Sequence, residues 1–136
     1  MADSATYSFP VRVYYEDTDF SGNVYHAAYL KFFERGRTEF LRDVGIHHFE
    51  LAVQGLAFAV CSMQIEFLRT AHIDDLLTVT TEVNAITGAR LVLRQQILRA
   101  DTVLTEAEVV VASIRMSGGV ARMPKQLLAL LRSDKP

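Results

Sequence analysis

One stretch of this chain carries a helical period, and nearly everything after it carries a strand period. Between Asn23 and Val44 the apolar residues Ala27, Leu30, Phe33, Phe40, Leu41 and Val44 recur three or four positions apart, with Gly36 on the same stripe. That spacing predicts one helix of about 22 residues, about 33 Å long. Asn23 or Ser21 is placed to cap its start and Gly45 to end it. Gly36 would let the helix approach a neighbour closely, and Arg35 and Glu39 are spaced to pair on its exposed side. Downstream, Met63, Ile65 and Phe67 alternate with polar residues, as do Leu77, Val79, Thr81 and Val83. Leu91, Leu93 and Ile97 alternate less cleanly, and Val103 to Met116 is a further long run. Period-two alternation means strands with two unlike faces. Breaks at Ala71–Asp75, Thr87–Gly88, Ala100–Asp101 and Gly118–Gly119 suit antiparallel connections.

Val11 to Tyr15 adds a short strand ahead of the helix, and Leu127–Leu131 a short terminal helix. The pattern is α+β: an antiparallel sheet on a single long helix. One helix covers only a strip of such a sheet, so self-association is expected to cover the rest.

With 136 residues the chain fits one domain, 1–136, able to bury a core without covalent staples. The net charge of −2 and the lack of a basic run argue against nucleic-acid binding. Cys61 is the lone cysteine, so no internal disulfide forms; in its apolar run it reads as a buried, inert core residue. Met1 to Phe9 lacks the pattern of a signal peptide, and no apolar run approaches a membrane span. The expected location is the cytoplasm.

Chemistry concentrates between the first strand and the helix. Glu16, Asp17 and Asp19 cluster there, and His26 follows near the helix start. A helix N-terminus offers unpaired N–H groups and partial positive charge, which can hold a carbonyl oxygen as negative charge develops on it. A carboxylate beside it can attack the carbonyl or activate water. Spacing alone favours the plainer reading, with Asp19 a cap of the loop or helix and His26 a surface residue. Glu16 and Asp17 read as loop residues. His47-His48 reads as a pair at the helix C-terminus rather than a metal site, and no further Cys or His falls at ligand spacing. His72, in a turn near Asp74 and Asp75, reads as structural.

The run VRVYYEDTD, then Gly22, then VYHAAY, then F-x-E-R-x-R-T-E resembles the hotdog-fold thioesterases of the 4-hydroxybenzoyl-CoA thioesterase superfamily. It most resembles their YbgC-type branch, the acyl-CoA thioesterases associated with the Tol-Pal system. FLRTAHIDDLL and TEAEVVV extend the resemblance from about Val11 to Pro124. It implies a hotdog fold, a five- to six-stranded antiparallel sheet wrapped around one long helix. It also implies hydrolysis of an acyl thioester to a carboxylic acid and free coenzyme A, without metal or redox cofactor. Asp19 would be the catalytic carboxylate, as nucleophile or general base. His26 would orient the thioester or water, its N–H serving as oxyanion donor, and Tyr15 would be a motif tyrosine near the site. Family members bind coenzyme A in a cleft between two subunits, which implies a homodimer or homotetramer. Acyl carrier protein is an alternative thiol carrier. Where the branch commonly has small residues after the catalytic Asp, this chain has Phe20-Ser21-Gly22-Asn23, so Phe20 is placed to line or shrink an acyl pocket. Arg69, Arg90, Arg94, Arg99, Arg122 and Lys125 are the candidate cations for the phosphates, with none singled out. Two other readings fit: a hydratase or dehydratase on the same fold, and a binding module for acyl carrier protein or a Tol-Pal-associated partner.

Overall fold

The computed structural model describes residues 6–132, so both ends of the expected domain, 1–5 and 133–136, lie outside the described residues. Five strands form one antiparallel sheet: β1 (Tyr7–Arg12), β2 (Leu56–Phe67), β3 (Leu76–Thr87), β4 (Arg90–Arg99) and β5 (Thr102–Arg115). Their spatial order is β1-β3-β4-β5-β2. The long helix α1 (His26–Asp43) lies on one face against β1, β3 and β4. Two short helices follow, α2 (His48–Val53) and α3 (Lys125–Arg132). Register shifts at Val60/Ser62, Val83/Ala85 and Ile97/Leu98 bend the strands, as bulges do, and help the sheet curl.

The buried face of α1 is Ala28, Tyr29, Phe32, Phe33, Gly36, Phe40 and Leu41. Ala27 and Leu30, expected on the buried stripe, face outward. The large rings set the phase instead, each contributing about 1.5–3 kcal/mol by burial. They pack on Leu77, Val79, Leu91, Leu93 and Ile97. Gly36 lies over the sheet as expected, and a Cβ there would sit 2.6 Å from Val79 Cγ1. Gln95, fully buried on the inner face of β4, ties this crossing together. Its amide donates to the Phe33 carbonyl at 3.0 Å and to Thr81 Oγ1 at 2.8 Å, and accepts from Arg37 at 3.1 Å. A buried glutamine on the inner face explains the imperfect alternation of that strand.

Several expectations are corrected. The first strand is Tyr7–Arg12, not Val11–Tyr15. Asp17 Oδ2 accepts the Tyr14 N–H at 2.8 Å and turns the chain into a 3-10 turn, Tyr15–Asp17. The helix starts at His26, not Asn23, because Asn23 and Val24 are committed to bridges with His72 and Thr18. Its N-cap is Tyr25, which makes no side-chain capping bond. The C-terminal end agrees with expectation: Gly45 follows the cap with φ +98°, a conformation glycine adopts freely. Glu39 pairs with Arg42, one turn on, rather than with Arg35. His47 and His48 begin α2 instead of ending α1. Cys61 is exposed, not buried. It is the residue at the bulge of β2, which among the described residues is an edge strand paired with β5 alone. No helix among the described residues is long and apolar enough to cross a membrane.

Candidate active site

The segment from Asp17 to Tyr25 closes on itself and then onto a second turn. Thr18 bridges Val24, and the Asp19 N–H donates to the Asn23 carbonyl at 2.8 Å. The Tyr25 N–H donates to the Asp17 carbonyl at 3.3 Å. Asp17 itself is buried, holding the loop, which accords with a structural role. The turn after β2 clasps the outer side: the Val24 N–H donates to the Ala71 carbonyl at 2.9 Å, and the Ile73 N–H to the Gly22 carbonyl at 3.0 Å.

Asp19 projects from this clasped loop with an exposed carboxylate. Its Oδ1 accepts from the Ser21 N–H at 2.8 Å, the Ser21 hydroxyl at 2.6 Å and the Asn23 N–H at 3.3 Å. Among the described residues no donor is directed at Oδ2. The Ser21 hydroxyl, then the Ser21 and Asn23 N–H groups, outweigh partial desolvation and hold the carboxyl below its usual range. Asp19 is therefore a carboxylate at neutral pH, in an exposed residue, with Oδ1 anchored by three donors.

His26 is the first residue of α1. With no side-chain cap, the N–H groups of His26 and Ala27 have no acceptor among the described residues, at the positive end of the helix. The His26 ring packs against Phe67 at a tilt of 46°, centroids 4.6 Å apart, and Phe67 meets Tyr29 edge-on at 5.5 Å. The Tyr29 hydroxyl accepts the Ala71 N–H at 3.0 Å. The end of β2 and the turn after it are thus joined to the start of α1.

Asp19 and His26 lie at the two ends of one short hairpin-like connection, and no hydrogen bond or ion pair joins their side chains. Tyr15 is 81% exposed, and its backbone carbonyl accepts from the N–H and hydroxyl of Thr18. Phe20, placed by the sequence to line or shrink an acyl pocket, is fully exposed. Of the candidate cations, Arg99 is paired with Asp75 at 2.8 Å, and Arg94 lies 3.9 Å from Glu106. Among the described residues no three His, Cys, Asp or Glu side chains are grouped to hold a metal ion. Phe67, Tyr29 and the Asn23–His72 contact were missed as site-building residues. Tyr29 and Phe67 stand within the matched motifs, but which groups they meet follows from the turn at Ala71.

A carboxylate on the loop that leads into a helix start with unpaired N–H groups brings the two kinds of group that attack on, or hydration of, a polarised carbonyl needs. Residues 13–131 match the family model of the thioesterase-like superfamily. The acyl-CoA thioesterase YbgC of Haemophilus influenzae is 49% identical over 109 residues, covering 79% of this chain and 80% of that protein. The acyl-CoA thioester hydrolase YbgC of Escherichia coli is 45% identical over 116 residues, covering 82% and 84%. The crystal structure of a probable thioesterase from Bartonella henselae superposes with a TM-score of 0.85 at 49% identity, covering 88% of this chain and all of that one. With this extent of sequence match, a hotdog arrangement of sheet and helix, and an ionised aspartate on the loop leading to an uncapped helix start, the chain belongs to the thioesterase-like superfamily.

Proposed function

We propose that this protein hydrolyses acyl-CoA thioesters, with Asp19 as the reacting carboxylate. The observation that carries the assignment of the site is the asymmetry of Asp19: Oδ1 accepts from three donors, whereas Oδ2 accepts no hydrogen bond among the described residues. Oδ2 then either attacks the thioester carbonyl or takes a proton from the water that does. The N–H groups at the start of α1 stabilise the oxygen as it becomes negative. The C–S bond breaks and the coenzyme A thiolate leaves and is protonated. Where water attacked, the acyl group departs directly as a carboxylate; where Oδ2 attacked, a water then cleaves the acyl–aspartyl anhydride, releasing the carboxylate and restoring Asp19. The sequence relatives, named for this activity, support the substrate class.

The thiol carrier is read as coenzyme A, with acyl carrier protein the other carrier of the same thioester, and the protein as a cytoplasmic homo-oligomer. Self-association is supported by β2, a twelve-residue edge strand bearing exposed Val60 and Phe67.

The test is hydrolysis of acetyl-, butyryl-, palmitoyl- and benzoyl-CoA, followed by loss of the thioester absorbance because exposed Cys61 would consume a disulfide reagent. Wild type is expected to hydrolyse at least one, and Asp19→Asn to lose about 100-fold or more in kcat while staying folded. Inactivity of wild type on the whole panel overturns the substrate class; a fully active Asp19→Asn overturns the site.

A further inference from the structure

We infer that His72 is a positioning residue for Asp19, acting through Asn23 and Ser21. The inference rests on Asp19 being the reacting carboxylate and adds to it a directional chain of side-chain hydrogen bonds. The Ser21 hydroxyl donates to Asp19 Oδ1 at 2.6 Å. The Asn23 amide nitrogen donates to Ser21 Oγ at 3.0 Å. Asn23 Oδ1 lies 2.9 Å from His72 Nδ1.

The donor inventory of these groups fixes the direction. Ser21 has one proton and spends it on a carboxylate that can only accept, so its oxygen must accept from Asn23. Asn23 therefore presents its NH2 to Ser21 and its oxygen to His72. That oxygen can only accept, so His72 Nδ1 carries the proton and donates. Turning the Asn23 amide over would set oxygen against oxygen at Ser21, whose one proton is already spent on Asp19.

The far end is anchored to the sheet. The His72 N–H donates to Asp75 Oδ2 at 2.9 Å. The same oxygen accepts from Arg99, at the end of β4, at 2.8 Å, and Arg99 also donates to the Thr70 carbonyl at 3.3 Å. Asp19 is exposed, so hydrogen bonds rather than packing must hold its rotamer. The backbone N–H groups of Ser21 and Asn23 fix where Oδ1 sits. The Ser21 hydroxyl is the donor able to turn away, and Asn23, held by His72, keeps it in place. His72 touches no reacting atom; it keeps Oδ1 occupied, so that Oδ2 is the oxygen left to react.

The experiment compares wild type, His72→Ala, His72→Asn, Ser21→Ala and Asp19→Asn on the fastest acyl-CoA of the panel, with thermal unfolding of each. His72→Ala is expected to lower kcat about tenfold with KM within about twofold, the pattern of a misaimed reacting group. His72→Asn, whose amide can replace the Nδ1–H donor, is expected to restore most of the rate. Ser21→Ala breaks the chain inside the loop and is expected to show the same kcat loss, which keeps the test open if His72→Ala unfolds. Unchanged kcat in His72→Ala or Ser21→Ala, with Asp19→Asn inactive, overturns the positioning chain and leaves Asp19 standing. Failure of a folded His72→Asn to recover rate also overturns it. An active Asp19→Asn overturns both readings.

Discussion

Gly36 of α1 crosses Val79 of β3 so closely that a Cβ on the glycine would lie 2.6 Å from the valine Cγ1. Val79 is fully buried and β-branched, so it cannot swing aside. Gly36→Ala gains up to about 1 kcal/mol of helix propensity but overpacks the core by about 1–3 kcal/mol. The expected outcome is net destabilisation, read as a lower urea midpoint with an unchanged slope.

Tyr29 supplies the acceptor for the buried Ala71 N–H at 3.0 Å. Burial pushes the Tyr29 phenol up, although that same N–H and Arg99 pull the other way, so the group stays neutral and serves as a hydroxyl. Tyr29→Phe leaves the N–H unsatisfied and is expected to cost about 1–3 kcal/mol in chemical denaturation. Faster hydrogen exchange at Ala71 would locate the effect.

The depressed Asp19 carboxyl makes a statement about acid sensitivity. A carboxylate whose charged form is favoured stays ionised as pH falls, so any loss of kcat/KM due to its protonation lies below the usual carboxylate range. The Ser21 hydroxyl is the largest cause, and its removal moves the titration upward. Ser21→Ala is expected to raise the Asp19 midpoint in a carbon-13 carboxyl NMR titration. A midpoint that stays in place contradicts the role given to the hydroxyl.

Asp75 gives a pH window for stability. Partial burial raises its carboxyl, but the His72 N–H and the Arg99 guanidinium together outweigh that and hold it low. A group depressed in the folded state contributes fully above its unfolded value and loses that contribution as pH falls through its folded value. The Arg99–Asp75 pair is partly exposed, so Arg99→Met is expected to cost only about 0.5–1 kcal/mol at neutral pH. The difference between wild type and variant should shrink in acid, below the usual carboxylate range, as measured by denaturation at paired pH values.

How far the sequence carries can be traced residue by residue. The α+β pattern, the single long helix and its close approach at Gly36 are legible because hydrophobic period and glycine placement are local properties. The cluster around Asp19 is legible as a motif, and the long ordered resemblance fixes the superfamily. The helix start is not, since Asn23 and Val24 have the look of a cap and first turn until the chain returns at Ala71–His72 and takes their bonding groups. Cys61 looks like a core residue until β2 is placed at the edge of the sheet.

By itself, then, the sequence determined one helix, a sheet of alternating strands and a carboxylate turn between them, because those depend on neighbours within a few positions. The tertiary structure alone decided that Gln95 faces inward, that Cys61 faces out and that His72 reaches Asn23. Each of those depends on a strand or turn far along the chain arriving at a particular register, where distant donors and acceptors meet and no local preference can specify the partner.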